Sequence, residues 1–291
     1  MSNKKEKILI TIFISICLLV LTTLAHDFIK QRLRSIKFVR DFKDRIELFW
    51  VSGGEDTEDI KVDSSQEFVA HAGGGINGLT YTNSREALDS NYDKGFRYFE
   101  IDFNWTADHQ LVLLHDWGKV LKRPNNSKIR KYTLGQFMTM TNGDNLHQMS
   151  LEDIMEWLDK HEDAYIITDV KENNVGALKK IRKEFPDLIH RTIPQIYRFR
   201  EYDKTLGLGY KKIILTLYRN TYSDEILIDF LNRFKIFAIT MPKSRASTGF
   251  PKKLSQMGIF SYVHTINTME EREYFRKKGI NGFYTDFLIP H

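Results

Sequence analysis

Residues 96–102 read FRYFEID and residues 110–116 read QLVLLHD, so two apolar runs each end in side chains that can carry chemistry. Runs of this length and composition are typical of β-strands. Because side chains alternate between the two faces of a strand, Glu100 and Asp102 point the same way, about 6–7 Å apart along the backbone. They offer a pair of carboxylates on one face of a predicted strand.

Two histidines stand at the ends of strand-like runs. His71 follows the run 67–70, and His115 follows the run 110–114. Carboxylate oxygens are the ligands that Ca²⁺ and Mg²⁺ prefer, and histidine is the side chain used most often as a general acid or base. Together with Glu100 and Asp102, the histidines predict a divalent cation flanked by an acid and a base.

From residue 67 onward the chain alternates between strands and helices. Strand-like runs occur at 67–71, 97–103, 164–170, 192–197, 212–217, 236–240, 260–265 and 282–285. Helix-like segments lie between most of them, at Ser84–Lys94, Leu151–His161, Gly176–Glu184, Ser223–Arg233 and Met269–Lys278. This order predicts an α/β fold, a (β/α)8 TIM barrel over residues 67–291. A doubly wound parallel sheet is the alternative.

Two local patterns refine this prediction. Residues 111–115 form an extra strand, because the polar turn at 106–109 suits a hairpin better than a crossover connection. Ser150 lies three residues before Asp153, which is the spacing of a capping box at the start of the helix over 151–161.

The carboxyl ends of the strands surround the active site in barrels of this type. His71 ends the first predicted strand, and Glu100 with Asp102 ends the second. The third strand ends in Asp169 and Lys171, while the hairpin brings His115 to the same rim. We therefore expect chemically active side chains from four separate segments to converge at one end of the barrel.

The N-terminal segment carries a membrane signal. Residues 8–25 (ILITIFISICLLVLTTLA) contain no charge, and this length is near the lower limit for a helix that crosses a bilayer. We predict an uncleaved transmembrane anchor, preceded by a short basic tail at 1–7 and followed by a basic stalk and linker at 26–66. A cleaved signal peptide is the alternative, although residues 24–26 (LAH) form only a weak cleavage site.

The charge distribution bears on partners and on orientation. The net charge is +5, and a basic cluster follows the anchor, at Lys30, Arg32, Arg34, Lys37 and Arg40. Contact with phospholipid headgroups is the expected use, and no nucleic-acid-binding motif accompanies the cluster. Lysines in the N-terminal tail favour a single-pass orientation with the barrel on the extracytoplasmic side, whereas the basic cluster argues for the opposite one. The amphipathic stretch over 28–50 is typical of a helix at the membrane interface.

The ordered set of motifs resembles the glycerophosphodiester phosphodiesterase family, within the wider group of phosphatidylinositol-phospholipase-C-like barrels. Short stretches of this sequence match the family's motifs in the same order along the chain. In the first half, His71-Ala72-Gly73 matches the family's His-Arg-Gly, Asn83-Ser84 its Asn-Thr helix start, Glu100 and Asp102 its Glu-x-Asp, and His115-Asp116 its His-Asp. Further on, Asp169-Val170-Lys171 matches its Glu-x-Lys, His264-Thr265-Ile266-Asn267 its Trp-Thr-x-Asn, and Thr285-Asp286 its closing Thr-Asp. The resemblance covers about residues 67–287.

The resemblance implies a metal-dependent phosphodiesterase. The residues and roles that it implies are the metal ligands Glu100, Asp102 and Asp169 for Ca²⁺ or Mg²⁺, the acid–base pair His71 and His115, and the substrate-binding residues Lys171 and Asn83. The resemblance also implies that a neighbouring hydroxyl of the substrate attacks phosphorus first. This attack gives a cyclic phosphate, which water then opens. The substrate would be a glycerophosphodiester or a related phosphodiester of a lipid or a surface polymer. Asn83 has an alternative role as the helix N-cap.

Three departures from the family pattern bear on the substrate and on activity. Ala72 replaces an arginine that would hold a phosphate oxygen, Asp169 replaces a longer glutamate, and the loop at 73–78 (GGGING) is lengthened. The backbone N–H groups of that loop could form an anion-binding nest. These changes favour a specialised substrate. They also leave open a phospholipase-D-like transfer reaction that releases a cyclic phosphate, and an inactive scaffold that binds phosphate ligands.

Overall fold

The computed structural model of the chain describes residues 22, 29–30, 32, 36–53, 66–120, 131–140 and 146–290. The backbone divides into two compact units, Met1–Phe49 and Trp50–His291. In the first unit, residues 36–49 are helical. No helix within the described ranges is long and apolar enough to span a bilayer. The predicted anchor at 8–25 lies outside those ranges except for Thr22, and the domain boundary at residue 67 stays a prediction.

A closed barrel forms the second unit. Its eight parallel strands are β1 (Phe68–Ala70), β2 (Tyr98–Trp105), β4 (Tyr165–Val170), β5 (Thr192–Ile196), β6 (Ile214–Thr216), β7 (Ala238–Pro242), β8 (Ser261–His264) and β9 (Gly282–Thr285). The strand order β1-β9-β8-β7-β6-β5-β4-β2 is closed by direct pairing of β1 with β2. The predicted TIM barrel is therefore confirmed, and the doubly wound alternative is wrong because an open sheet has two edge strands, whereas each of these eight strands pairs with a neighbour on both sides.

The extra strand β3 (Leu111–Leu113) pairs antiparallel with the end of β2, as the hairpin prediction requires. The prediction that Glu100 and Asp102 end the second strand is wrong in one respect. Strand β2 continues to Trp105 because residues 103–105 pair with β3. Phe103 also pairs with β4, whereas residues 104 and 105 extend beyond that pairing. The two carboxylates nevertheless lie at the level where the barrel itself ends.

Ten helices of the described ranges surround or cap the strands. They are α1 (Arg85–Asp93), α2 (Trp117–Val120), α3 (Leu134–Met138), α4 (Leu151–Lys160), α5 (Asn174–Glu184), α6 (Tyr202–Gly207), α7 (Asp224–Arg233), α8 (Lys243–Ala246), α9 (Phe250–Gln256) and α10 (Met269–Lys277). All five predicted helices are present, and the capping box of Ser150 and Asp153 starts α4. The other five helices, α2, α3, α6, α8 and α9, were not predicted, because four to seven residues are too few for a helical repeat to be recognised.

The barrel interior is filled below the level of the carboxylates. A cluster of buried apolar side chains, among them Val69, Ile167, Ile193 and Ile214, occupies it. The parallel register places Asp102 of β2 directly beside Asp169 of β4. Packing of the lower barrel therefore fixes the strands that carry the carboxylates, and leaves the carboxyl ends of the strands for chemistry.

Candidate active site

Three carboxylates meet at the carboxyl end of the barrel. One ligand atom from each of Glu100, Asp102 and Asp169 lies within 4.8 Å of the other two, and all three side chains are buried. A set of oxygen donors this close suits a hard divalent cation such as Ca²⁺ or Mg²⁺. The residues present therefore fit the metal that the sequence predicts.

The electrostatics of this cluster favour a bound cation. Burial raises the pKa of Glu100 to about 8, and the charge of Asp102 adds to the shift. Burial and the charge of Asp102 also raise the pKa of Asp169. Two buried carboxyls that resist ionisation indicate more negative charge than the protein alone compensates.

Lys171 supplies part of that compensation. Its ammonium lies 2.7 Å from Asp102 Oδ1 and 3.5 Å from Asp169 Oδ2. Burial lowers the pKa of Lys171, but the charges of Asp102 and Asp169 outweigh burial and raise it. Lys171 is thus a fixed cation at the edge of the carboxylate cluster, where a phosphate oxygen can also reach it.

Backbone and amide donors hold two of the carboxylates in place. Asn83 Nδ2 donates to Asp102 Oδ2 at 3.0 Å, and the Asp102 N–H donates back to Asn83 Oδ1 at 3.0 Å. The Ala72 N–H donates to Glu100 Oε2 at 2.9 Å. The N-cap of α1 is Ser84, which accepts from the Ala87 N–H, so the capping alternative for Asn83 is wrong. Asn83 lies behind Asp102 and fixes its orientation.

Two tyrosines hold the third carboxylate. The Tyr218 hydroxyl lies 3.0 Å and 2.9 Å from the two oxygens of Asp169, and the Tyr197 hydroxyl donates to Asp169 as well. Burial, followed by the charge of Asp169, raises the pKa of both phenols, so they remain protonated donors. The sequence marks Tyr197 by its place after a strand, but it gives no signal for Tyr218, which lies in the loop after β6.

A carboxylate and an amide orient His71. His71 Nδ1 lies 2.9 Å from Asp286 Oδ1, and Asn267 Nδ2 donates to Asp286 Oδ2 at 2.8 Å. Because a carboxylate only accepts, Nδ1 carries the proton of this bond and Nε2 is left for proton transfer. Burial lowers the pKa of His71, but the bond to Asp286 and the charges of Glu100 and Asp102 outweigh it and raise the pKa.

Tyr81 separates the two predicted histidines. Its ring makes edge contacts with His71, at 4.6 Å between ring centroids, and with His115, at 4.8 Å. Tyr81 follows the lengthened loop and is 39% exposed. No pattern in the sequence points to it, because its role depends on where the loop folds back. The two histidines therefore flank a single aromatic ring at the mouth of the site.

One cavity of about 170 Å³ joins these side chains. Six of the seven predicted site residues line it, namely His71, Glu100, Asp102, His115, Asp169 and Lys171. His264, at the position of the family's tryptophan, lines it too. Burial, with the charge of His71, lowers the pKa of His264 to about 4, so this imidazole is neutral at physiological pH and adds no charge.

The glycine-rich loop at 73–78 is held by the protein. The Gly74 N–H donates to the His71 carbonyl, the Gly75 N–H to the Asp286 carbonyl, and the Ile76 N–H to the Leu79 carbonyl. These three amides are engaged, so they do not form the anion-binding nest considered from the sequence. Gly74 has φ +89° and a Cβ there would lie 2.4 Å from the Asn91 amide nitrogen, which explains why glycine is required.

Comparisons with known proteins agree with this geometry. The sequence model of the glycerophosphoryl diester phosphodiesterase family matches residues 71–289, more than half of the chain. A search of curated proteins found no significant match.

Solved structures share the fold at low sequence identity. A glycerophosphodiester phosphodiesterase from Thermotoga maritima is 20% identical, with a TM-score of 0.60, and the match covers 76% of this chain and 94% of that one. A phosphodiesterase from Oleispira antarctica, solved with the product sn-glycerol-3-phosphate, is 15% identical with a TM-score of 0.60, covering 76% and 93%. A glycerophosphodiester phosphodiesterase from Parabacteroides distasonis is 17% identical with a TM-score of 0.59, covering 76% and 92%. On the match of the family model, the chain belongs to the glycerophosphoryl diester phosphodiesterase family, whose members are phosphoric diester hydrolases.

Proposed function

We propose that the chain is a membrane-anchored phosphodiesterase that needs a divalent cation and uses His71 and His115 as its acid–base pair. The observation that carries this proposal is the shared cavity, in which both histidines line the same space as Glu100, Asp102 and Asp169. An acid and a base beside an oxygen-ligand site are the groups that phosphodiester cleavage requires.

The three carboxylates would hold Ca²⁺ or Mg²⁺. When bound there, the cation would polarise a phosphate oxygen and offset the charge that develops at phosphorus. The protein prepares the ligands for this task, because Asn83, the Ala72 N–H and the Tyr218 hydroxyl each fix a carboxylate by a hydrogen bond. Lys171 would contact a phosphate oxygen as a point charge, in part replacing the arginine that Ala72 displaces.

The two histidines would divide the proton transfers. One removes a proton from the attacking substrate hydroxyl as its oxygen bonds to phosphorus, and the other protonates the oxygen of the leaving alkoxide as the old P–O bond breaks. Water then opens the cyclic phosphate to the phosphomonoester, with the two proton-transfer roles reversed. His71 is prepared for either task by Asp286, which fixes its tautomer. Because Tyr81 lies between the rings, the two histidines face a substrate from different sides.

The substrate proposed is a glycerophosphodiester or a related phosphodiester of a lipid or a surface polymer. Support comes from the family membership and from the Oleispira antarctica relative, which was solved with sn-glycerol-3-phosphate. Ala72 favours a specialised member of this class, because the phosphate loses one bidentate partner relative to the family pattern.

A panel of phosphodiesters incubated with the full chain, with and without Ca²⁺ or Mg²⁺, tests the function. We expect the release of a phosphomonoester such as glycerol phosphate to depend on the metal, and phosphorus NMR measures this release. A cyclic phosphate that persists as the end product would support the transfer reaction instead. Ligand binding by calorimetry without turnover, at saturating metal, would favour the inactive scaffold.

Membrane association is part of the proposal. It is supported by the uncharged segment at 8–25 and by the helical residues 36–49, where Phe38, Phe42 and Phe49 are exposed and recur on one face. We place the barrel on the extracytoplasmic side, in agreement with the basic N-terminal tail. We expect the full chain to float with phospholipid vesicles and a variant lacking residues 1–25 to float more weakly. Equal recovery of both in the vesicle-free fraction would contradict membrane association.

A further inference from the structure

A second cavity, of about 530 Å³, opens beside the active site. It lies in the loops that follow β4, β5 and β6, and five basic side chains line it, namely Lys171, Arg198, Arg200, Lys204 and Arg219. We call it the cationic cavity. Its volume is about three times that of the active-site cavity, which is about 170 Å³.

Shared residues connect the cationic cavity to the reacting groups. Lys171 lines both cavities. Tyr197 lines the cationic cavity while its hydroxyl donates to Asp169. Arg219 Nη1 donates to the Lys171 carbonyl at 2.9 Å, and its guanidinium lies 5.6 Å from the centroid of the Tyr197 ring. A substrate whose phosphate contacts Lys171 in the active-site cavity can therefore extend past Lys171 into the cationic cavity.

Lys171 is ion-paired with Asp102 and Asp169, but four further basic side chains line the cationic cavity, against one carboxylate. Glu201 is the carboxylate among its lining residues, and it is already engaged, accepting from the Tyr197 N–H at 2.9 Å and from Asn174 Nδ2 at 3.2 Å. Arg200 and Lys204 line the cationic cavity as exposed side chains. A concave site with this excess of positive charge concentrates anions.

The start of helix α5 adds to this potential. Residues 173–175 line the cavity, and α5 begins at Asn174 without a hydrogen bond from the side chain of its N-cap, Asn173. The N-terminus of an 11-residue helix carries partial positive charge. Guanidinium groups with a helix N-terminus form a setting that suits phosphate oxygens.

We propose that the cationic cavity binds a second phosphate of the substrate, one that lies beyond the phosphodiester being cleaved. The inference rests on the proposed function and deepens it, since it defines the substrate as a molecule with at least two phosphates. A repeating phosphodiester chain and a phosphorylated lipid headgroup share this chemistry. In either case Lys171 lies between the phosphate that reacts and the phosphate that is only bound.

Matched substrate pairs test the proposal on the full chain with Ca²⁺ or Mg²⁺. One pair is glycerophosphoglycerol and its dimer with two phosphodiesters; the other is glycerophosphoinositol and its 4-phosphate. We expect kcat/KM to be about tenfold higher for the two-phosphate member of at least one pair, mainly through a lower KM, since one charge-assisted contact is worth about this factor. A preference for the dimer identifies a polymer substrate, and a preference for the 4-phosphate identifies a headgroup.

A double variant, Arg200→Gln with Lys204→Gln, should remove the preference. We expect a loss of about tenfold in kcat/KM on the two-phosphate substrate and less than about twofold on its one-phosphate partner. The control is Lys252→Gln with Lys253→Gln, which removes two exposed lysines from α9 and should change neither value. Equal kcat/KM within both pairs, or an equal loss in the two double variants, would overturn the proposal.

Direct binding separates this proposal from the proposed function. If the wild-type chain hydrolyses none of the four compounds, calorimetric titration with the dimer in EDTA still measures the affinity of the cationic cavity for the dimer. Binding that weakens about tenfold in the Arg200→Gln, Lys204→Gln variant would then support the cationic cavity while the proposed function fails. Identical binding by the wild type and this variant would reject the cationic cavity.

Discussion

Replacement of His71 or His115 by alanine should lower kcat by about a thousandfold or more, with melting temperatures near that of the wild type. Each histidine is assigned one of the two proton transfers, and general acid–base catalysis contributes about a hundredfold to ten-thousandfold for each group. The folded state should tolerate the change because both rings line a cavity and neither lies in the apolar core of the barrel. Turnover of the preferred phosphodiester, together with thermal unfolding, measures both expectations.

His109 is the matched control for these variants. It is exposed in the turn between β2 and β3, only six positions before His115, and His109→Ala should leave kcat unchanged. Asp286→Asn should give an intermediate loss of about a hundredfold with an altered pH profile, because an amide no longer fixes the proton on His71 Nδ1. Full activity of either histidine-to-alanine variant would reject the acid–base assignment.

Loss of a metal ligand is the second large effect. Glu100→Gln keeps the shape of the side chain but replaces an anionic ligand by a neutral one, and we expect at least about a hundredfold lower kcat together with weaker Ca²⁺ or Mg²⁺ binding. EDTA should abolish wild-type activity, and added metal should restore it. Activity that survives EDTA treatment would contradict the metal-dependent reaction.

The same carboxyl predicts a pH dependence of stability. In the metal-free chain the pKa of Glu100 is raised to about 8, first by burial. Between its ordinary value of about 4.5 and about pH 8, the folded chain keeps a proton that the unfolded chain has lost, so this group makes folding less favourable as pH rises. A cation binds the ionised form and displaces the proton. We therefore expect the rise in melting temperature on metal addition to grow between about pH 5 and pH 8.

The Glu100→Gln variant is the reference for this measurement. A glutamine does not titrate, so the growth of the metal effect with pH should be smaller in the variant than in the wild type. Calorimetry in buffers with different ionisation enthalpies should also report proton release on metal binding by the wild type. A metal effect with the same pH dependence in both proteins would contradict the assignment of the proton to Glu100.

The barrel and most of its rim could be predicted from the sequence because the patterns that indicate them are local. Strand periodicity places Glu100, Asp102 and Asp169 at one end of the sheet, and closure of the barrel brings them together. Of the residues that support the rim, Asn83 and Asp286 were found only through the family's motifs, and Tyr218 and Tyr81 were not found at all. Tyr218 and Tyr81 lie in loops, and the contact of His71 with Asp286 joins positions 215 residues apart.

The short helices and the end of β2 also could not be predicted from the sequence. Helices α6 and α9 have six and seven residues, so no period is visible in them. Strand β2 is extended beyond the barrel by its hairpin partner β3, which is a property of pairing and not of the residues 103–105 alone. The departures Ala72 and Asp169 were visible from the sequence, whereas the cationic cavity depends on loops after three different strands.

The contact between His71 and Asp286 joins two segments that are synthesised at different times. Strand β9 pairs with β1 to close the barrel, and Asp286 follows β9 directly. During synthesis the ribosome adds His71 to the chain 215 residues before its carboxylate partner Asp286. A nascent chain that stops before β9 lacks both the closing strand and the group that orients His71. The same C-terminal segment of the barrel therefore closes the sheet and orients His71.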